Sequence, residues 1–193
     1  EIEPAVCELG AGNGRFASAF IAEWKKICNK ELRYYIFEES PYHRKRQKEM
    51  INFGHHIKQM DSLEAIKPFH GFIFSNELFD ALPVRVIEMK HDQLMEVMVT
   101  IENGKLVERL ILLEDENIKS YLEKTNLHLK NNQRIEIPLA MEAMISRISD
   151  VFERGFVITV DYGYTDKEWM EPIHREGSLR GYYKHEQIHN VLQ

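Results

Sequence analysis

Two cysteines, Cys7 and Cys28, are too few in 193 residues for a disulfide framework. Cys7 lies in an apolar strand pattern and Cys28 on the apolar side of a helix pattern, so both read as buried thiols of a reducing compartment. Positive charge is also short: 25 Lys and Arg stand against 31 Asp and Glu, a formal net charge of −6. That balance removes the broad electrostatic reason for binding nucleic acid. No apolar run approaches the roughly 20 residues of a membrane-spanning helix, and no signal or transit peptide is visible, so no membrane insertion is expected. Internal repeats and low-complexity segments are missing as well. The scattered histidines show no ligand spacing. His185-Glu186-Gln187-Ile188-His189 matches the HExxH pattern of zinc hydrolases, but no third ligand is evident, and the segment reads as an exposed helix without metal.

With 44% apolar and 29% charged residues, the chain reads as one soluble globular domain over 1–193. It starts at Glu1, just before a central strand, and stops at Gln193 inside a helix pattern, so it reads as a fragment. Residues 5–9 form a first strand, and Phe16, Phe20, Trp24 and Ile27 give one face to a helix ending near Asn29. Arg33 to Phe37 is a second strand, and Ser40-Pro41 opens a second helix running to about Asn52. His56 to Met60 and Gly71 to Phe74 are the next strands. Val84–Met89, Leu94–Ile101 and Leu106–Leu112 then follow, with Asn103-Gly104 as a hairpin turn. They predict an antiparallel β-meander, about 84–113, inserted into an alternating α/β chain. A short helix at about 115–125 and a polar segment lead to Pro138. Met141, Met144, Ile145, Ile148 and Phe152 mark another helix, and Gly155 to Asp161 a buried strand. Alternating strand and helix predict a parallel doubly wound sheet, with ligands beyond the carboxyl ends of the strands.

The densest motif is Glu8-Leu9-Gly10-Ala11-Gly12-Asn13-Gly14, between the first strand and the first helix. In a dinucleotide fingerprint the third small residue would fall at position 15, but Arg15 stands there and the third glycine comes early, at Gly14. An acid two places before the first glycine, at Glu8, completes the pattern with which S-adenosylmethionine (SAM) methyltransferases open. The ammonium of that ligand needs a carboxylate or carbonyl nearby. NAD or FAD binding, or a tight structural turn, are the other readings.

Further strand ends collect the remaining candidates. Glu38 can accept hydrogen bonds from both hydroxyls of an adenosine ribose, and Asp61 or Ser62 falls near the adenine edge. Their alternatives are a solvated strand terminus and an ordinary cap for Leu63–Ile66. Glu77 and Asp80, three apart, suit a cationic acceptor such as guanidinium, or else cap and salt-bridge a turn. The basic run His43-Arg44-Lys45-Arg46-Gln47-Lys48 reads as solvated helix surface.

Several segments stand together in one order. They are the glycine motif, Phe37-Glu38-Glu39-Ser40-Pro41, Ser75-Asn76-Glu77-Leu78-Phe79-Asp80-Ala81-Leu82-Pro83-Val84, Val160-Asp161-Tyr162-Gly163, and Ser178-Leu179-Arg180-Gly181-Tyr182 with His185. In this the chain resembles the MidA-like SAM-dependent methyltransferases, which include a mitochondrial complex I assembly factor that methylates arginine. The resemblance covers nearly the whole chain. It implies a Rossmann-like methyltransferase fold, with an N-terminal segment and last strands outside this fragment. It implies SAM as cofactor, held by Gly10, Gly12, Gly14 and Glu38, and Asn76 and Glu77 as active-site residues. Asp161 and Tyr162 would line the acceptor side, and Arg180 and His185 would lie on a covering loop, with a plain surface loop as the other reading. A protein substrate is implied, with arginine N-methylation as the reaction. A SAM-holding assembly factor without turnover is the runner-up and an NAD-dependent oxidoreductase the third reading. Location would be cytoplasmic for a bacterial protein or the mitochondrial matrix for a eukaryotic one; oligomeric state stays open.

Overall fold

The computed structural model describes residues 4–184, 186–188 and 192. In chain order its elements begin β1 (Ala5–Leu9), α1 (Arg15–Ile27), β2 (Arg33–Phe37), α2 (Pro41–Met50), β3 (Ile57–Met60), a 3₁₀ turn (Leu63–Ile66) and β4 (Phe69–Asn76). Next come β5 (Arg85–Lys90), β6 (Gln93–Glu102), β7 (Lys105–Leu112), α3 (Glu116–Thr125), β8 (Arg134–Ile137), α4 (Leu139–Val151) and β9 (Phe152–Val160). The short α5 (Asp166–Trp169), a second 3₁₀ turn (Pro172–His174), β10 (Gly181–Tyr183) and β11 (Glu186–Ile188) follow. Two compact units result, Glu1–Leu82 with Met141–Tyr162, and Pro83–Ala140 with Gly163–Gln193.

The first unit is the expected parallel sheet, in the order β3-β2-β1-β4-β9. Strand alternation splits β1 between two layers. Val6 packs with Ala17, Ile21, Tyr34, Ile36 and Ile51, while Ala5, Cys7 and Leu9 pack with Ile73, Met144, Ile148 and Val151. Both layers are dry enough that Cys7, Tyr34 and Ile36 are fully buried. The strand order reverses at β1, between β2 on one side and β4 on the other, which makes the ends of β1 and β4 the switch point.

The second unit holds an antiparallel sheet, β7-β6-β5-β8, around a separate core of Ile87, Ile118, Leu122, Ile135 and Ile137. Asn103 and Gly104 have φ of 50° and 75°, the paired left-handed geometry of a tight hairpin. β8 is a strand the polar surroundings of Arg134–Ile137 conceal in the sequence. Four residues are too few for a periodic signal, yet both isoleucines are fully buried.

Tertiary placement changes several local readings. The buried face of α1 is Ala17 and Ile21; Phe16 and Ile27 are exposed, and Phe16 instead stacks on Phe74 at 4.5 Å. Cys28 is half-buried at the C-cap of α1, where the backbone has already left the helix. On α4 it is Met144, Ile148 and Val151 that are buried, while Ile145 is exposed and Phe152 opens β9. The sequence predicts a buried β9, but among the described residues it is an edge strand whose Phe156, Val157, Ile158 and Val160 are exposed. Glu186–Ile188 is not helical: it pairs with Gly181–Tyr183 as an antiparallel hairpin, favoured by the β-forming tyrosines. His185 and His189 lie outside the described residues. No described helix is long and apolar enough to cross a membrane.

Candidate functional site

Sheet register lines up the sequence candidates of the first unit. Met60 is level with Phe37, Phe37 with Leu9, and Leu9 with Ser75. The residues that follow, Asp61, Glu38, Gly10 and Asn76, therefore form a row across the carboxyl ends of four neighbouring strands. Parallel strands sit about 4.8 Å apart, so this row is one continuous edge. Glu77 and Asp161 extend it past β4 and β9, since Asn76 is level with Val160.

The glycine loop is held from both sides. Glu38, half-buried at the end of β2, accepts the Gly12 amide on Oε2 and the Ser40 amide on Oε1, each at 2.9 Å. The Gly12 carbonyl accepts from Gln47 Nε2 at 2.7 Å. The Gly14 amide donates to Ala11 O at 2.9 Å and the Arg15 amide to Asn13 Oδ1 at 3.2 Å. The amides of Gly12, Gly14 and Arg15 are thus already satisfied, the first by Glu38 and the other two within the loop. A side chain at Gly10 would meet Leu78 Cδ1 at 2.8 Å, and one at Gly14 would meet Ile51 Cδ1 at 2.9 Å. At Gly12, where φ is 52°, nothing lies within 4 Å, so this glycine alone of the three faces open space.

Glu8 is buried beneath the loop, where Tyr34 Oη donates to its Oε2 at 2.5 Å. Burial, against the pull of the Tyr34 hydrogen bond and with a smaller push from the charge of Glu38, raises its carboxyl to about 7. Asp61 is exposed and pairs with Arg44 Nη2 at 2.5 Å, and Ser62 caps the 3₁₀ turn, accepting the Glu64 amide at 3.2 Å. Asn76, Glu77 and Asp80 are all exposed. Glu77 holds φ at 46°, a left-handed backbone that costs a non-glycine residue about 1–2 kcal/mol. Asp161 accepts the Phe79 amide on Oδ2 at 2.8 Å and the Tyr162 amide on Oδ1 at 2.9 Å. It pins the loop after β4, and Tyr162 beside it is exposed. Arg180 belongs to the second unit, where it donates to Leu179 O at 2.8 Å and lines a cavity of about 960 Å³ with Arg134 and Glu136.

Three polar residues that carry no motif turn out to build this edge. Gln47 is fully buried, and its Oε1 accepts from Gln59 Nε2 at 2.7 Å. Arg44 donates to the carbonyls of Glu38 and Met60 at 3.2 and 2.6 Å. The basic run on α2 is therefore not wholly solvated: Arg44 and Gln47 turn inward because strand-end carbonyls need donors. Among the described residues no cluster of three or more His, Cys, Asp or Glu has metal-binding geometry.

A family model described as "Putative S-adenosyl-L-methionine-dependent methyltransferase" matches residues 2–193. No curated protein matches the chain. Among solved structures, a protein from Burkholderia thailandensis bound to S-adenosyl-homocysteine is 23% identical, with a TM-score of 0.83 over 98% of this chain and 50% of that one. A native crystal structure from the same organism gives 23% identity and a TM-score of 0.83, over 98% of this chain and 51% of the other. The chain thus spans about half the length of the solved proteins it resembles, and it shares their fold. Matched by the family model over nearly all its length, the chain belongs to the MidA-like family of SAM-dependent methyltransferases.

Proposed function

We propose that this chain forms the methyl-donor site of a SAM-dependent methyltransferase whose acceptor is an arginine of a partner protein. The observation that carries the reading is the composition of the sheet edge. Its acidic side chains are Glu38, Asp61, Glu77 and Asp161, with Glu8 buried beneath, and the amides of Gly12, Gly14 and Arg15 are already bonded within the protein. A diphosphate would need those amides and would be repelled by those acids. A ligand with an ammonium and a sulfonium is favoured by the same acids. The residues therefore fit SAM better than a dinucleotide.

Bound SAM supplies an electrophilic methyl group. Glu38, oriented by two backbone amides, keeps lone pairs for the ribose hydroxyls. Gly12 leaves room above the loop, and Glu8 supplies the counter-charge for the ammonium. Asp61 and Ser62 bound the adenine end. Glu77, with Asn76 and Asp80, binds the acceptor guanidinium and localises its charge, so that one nitrogen regains a lone pair. The strained backbone of Glu77 supports this role, since such positions persist where the surroundings impose them. In the second unit the β6–β7 ribbon leaves Val99, Ile101, Leu106 and Leu112 exposed on one face, a surface suited to a partner protein.

Calorimetric titration tests the donor site. S-adenosylhomocysteine (SAH) is expected to bind and NAD not to, with Glu38→Ala weakening SAH at least tenfold; binding of NAD alone would overturn the reading. On the acceptor side, Glu77→Gln is expected to abolish methyl transfer by the full-length protein while SAH still binds. Retained function of that variant would instead point to an assembly factor that holds SAM without turnover. Ile101→Asp should weaken transfer to the partner protein and leave SAH affinity unchanged.

A further inference from the structure

Glu8 and Tyr34 form a buried polar pair directly under the glycine loop. Glu8 is 4% exposed, stands two residues before Gly10, and meets a Tyr34 hydroxyl that is itself fully buried on β2. Their oxygens are 2.5 Å apart, within the range of about 2.5–2.7 Å typical of a hydroxyl bonded to a carboxylate. The sheet neighbours of Glu8 are Ile36 and Phe74, which offer no polar group. α1 contributes Ala17 and Ile21 to this layer, and the buried residue of α2 is the neutral Gln47. Among the described residues, the titratable groups that act on Glu8 are Tyr34 from β2 and Glu38 just beyond it, with Cys7 adjacent on its own strand. No cation faces it from these elements.

We propose that Tyr34 is a positioning residue for the methyl donor: it fixes Glu8 in place to serve as counter-charge for the donor's ammonium, so that donor binding is coupled to loss of a proton from Glu8. This rests on the donor site proposed above and adds how that site responds to pH. Burial pushes the Glu8 carboxyl up to about 7, and the hydrogen bond from Tyr34 is what restrains that rise. Burial drives the Tyr34 hydroxyl far above its ordinary range and the Cys7 thiol up to about 12. Both therefore stay protonated, and Tyr34 remains a donor throughout the neutral range. In the free protein near pH 6 Glu8 carries its proton. An arriving ammonium favours the carboxylate, the proton leaves to solvent, and the Tyr34 hydrogen bond becomes charge-assisted.

The test is titration of SAH into the full chain between pH 5.5 and 7.5, in two buffers of different ionisation enthalpy, which counts protons released. Affinity is expected to fall by about tenfold per pH unit below about 7, with close to one proton released per ligand at pH 6. Glu8→Gln is expected to bind SAH more weakly and to lose this dependence, leaving only the ligand's own titration. Tyr34→Phe should shift the break to higher pH and weaken SAH several-fold at pH 7.5. SAH binding with constant affinity and no proton release would overturn the coupling and leave the donor site standing. A break unmoved in Tyr34→Phe would overturn the role of Tyr34. No SAH binding at any pH would overturn the donor site, and this inference with it. Should Tyr34→Phe not fold, Glu8→Gln, which keeps the side-chain shape, still decides the coupling.

Discussion

At the residue scale, Glu77 departs from its neighbours Glu38 and Asp161, whose carboxylates hold backbone amides. Glu77 is exposed and left-handed at φ 46°, a geometry glycine adopts without penalty. If the strain serves the acceptor site, Glu77→Gly is expected to stabilise the chain by about 1 kcal/mol and to abolish methyl transfer. Urea unfolding with a transfer assay on the full-length protein checks both; a variant that is no more stable would show that the surroundings do not strain this residue. The three loop glycines divide in a related way. Gly10 and Gly14 make room for Leu78 and for α2, which is packing, whereas Gly12 opens outward. The motif spacing marks all three alike, and only the neighbours separate them.

At the element scale, α2 acts as a brace. It has almost no apolar face, and its only fully buried side chain is the polar Gln47. Ser40 caps it, accepting the His43 amide at 3.4 Å, and the same serine's amide is held by Glu38, so the helix start and the glycine loop share one carboxylate. Gln47 then ties the helix body to Gly12, and Arg44 reaches the ends of β2 and β3. Replacing Gln47 by Leu would leave the Gly12 carbonyl without its side-chain donor and the Gln59 amide with only the Arg44 carbonyl as acceptor. A polar group left unpaired costs about 1–3 kcal/mol when buried and less when half-buried as Gly12 is, so Gln47→Leu is expected to lose about 1 kcal/mol of stability and at least tenfold in SAH affinity. Chemical unfolding and titration would show it, and a change below about 0.5 kcal/mol would mean that water replaces the lost partners. Asp161 plays a corresponding part for the loop after β4, through the Phe79 amide.

At the scale of the whole molecule, two carboxyls shape the dependence of stability on pH in opposite directions. Hydrogen bonds from Arg147 and Ser62 hold Glu64 down at about 2, so its contribution is present above about 4.5 and is lost as pH falls toward 2. Glu8, raised from 4.5 to about 7, retains its proton in the folded chain where the unfolded chain has released it. Stability therefore falls as pH rises from about 4.5 to 7, by about 3 kcal/mol at roughly 1.4 kcal/mol per pH unit. Urea unfolding of the ligand-free chain at pH 5 and pH 7.5 should show this decline, and Glu8→Gln should remove most of it; equal stability at both values would mean that Glu8 is solvated in solution. The alternating α/β order, the inserted antiparallel strands and the loop between β1 and α1 were all legible in the sequence, because each rests on local periodicity or on residues a few positions apart. Tertiary structure decided the rest. Tyr34 reaches Glu8 across 26 residues and Gln47 reaches Gly12 across 35, and neither belongs to a motif. Whether a polar side chain is solvated or buried as a brace depends on what the folded chain places opposite it. For the same reason the place of β9 at the edge of the described sheet could not be read from its apolar run, since an edge strand and a central one share the same pattern and differ only in their neighbours.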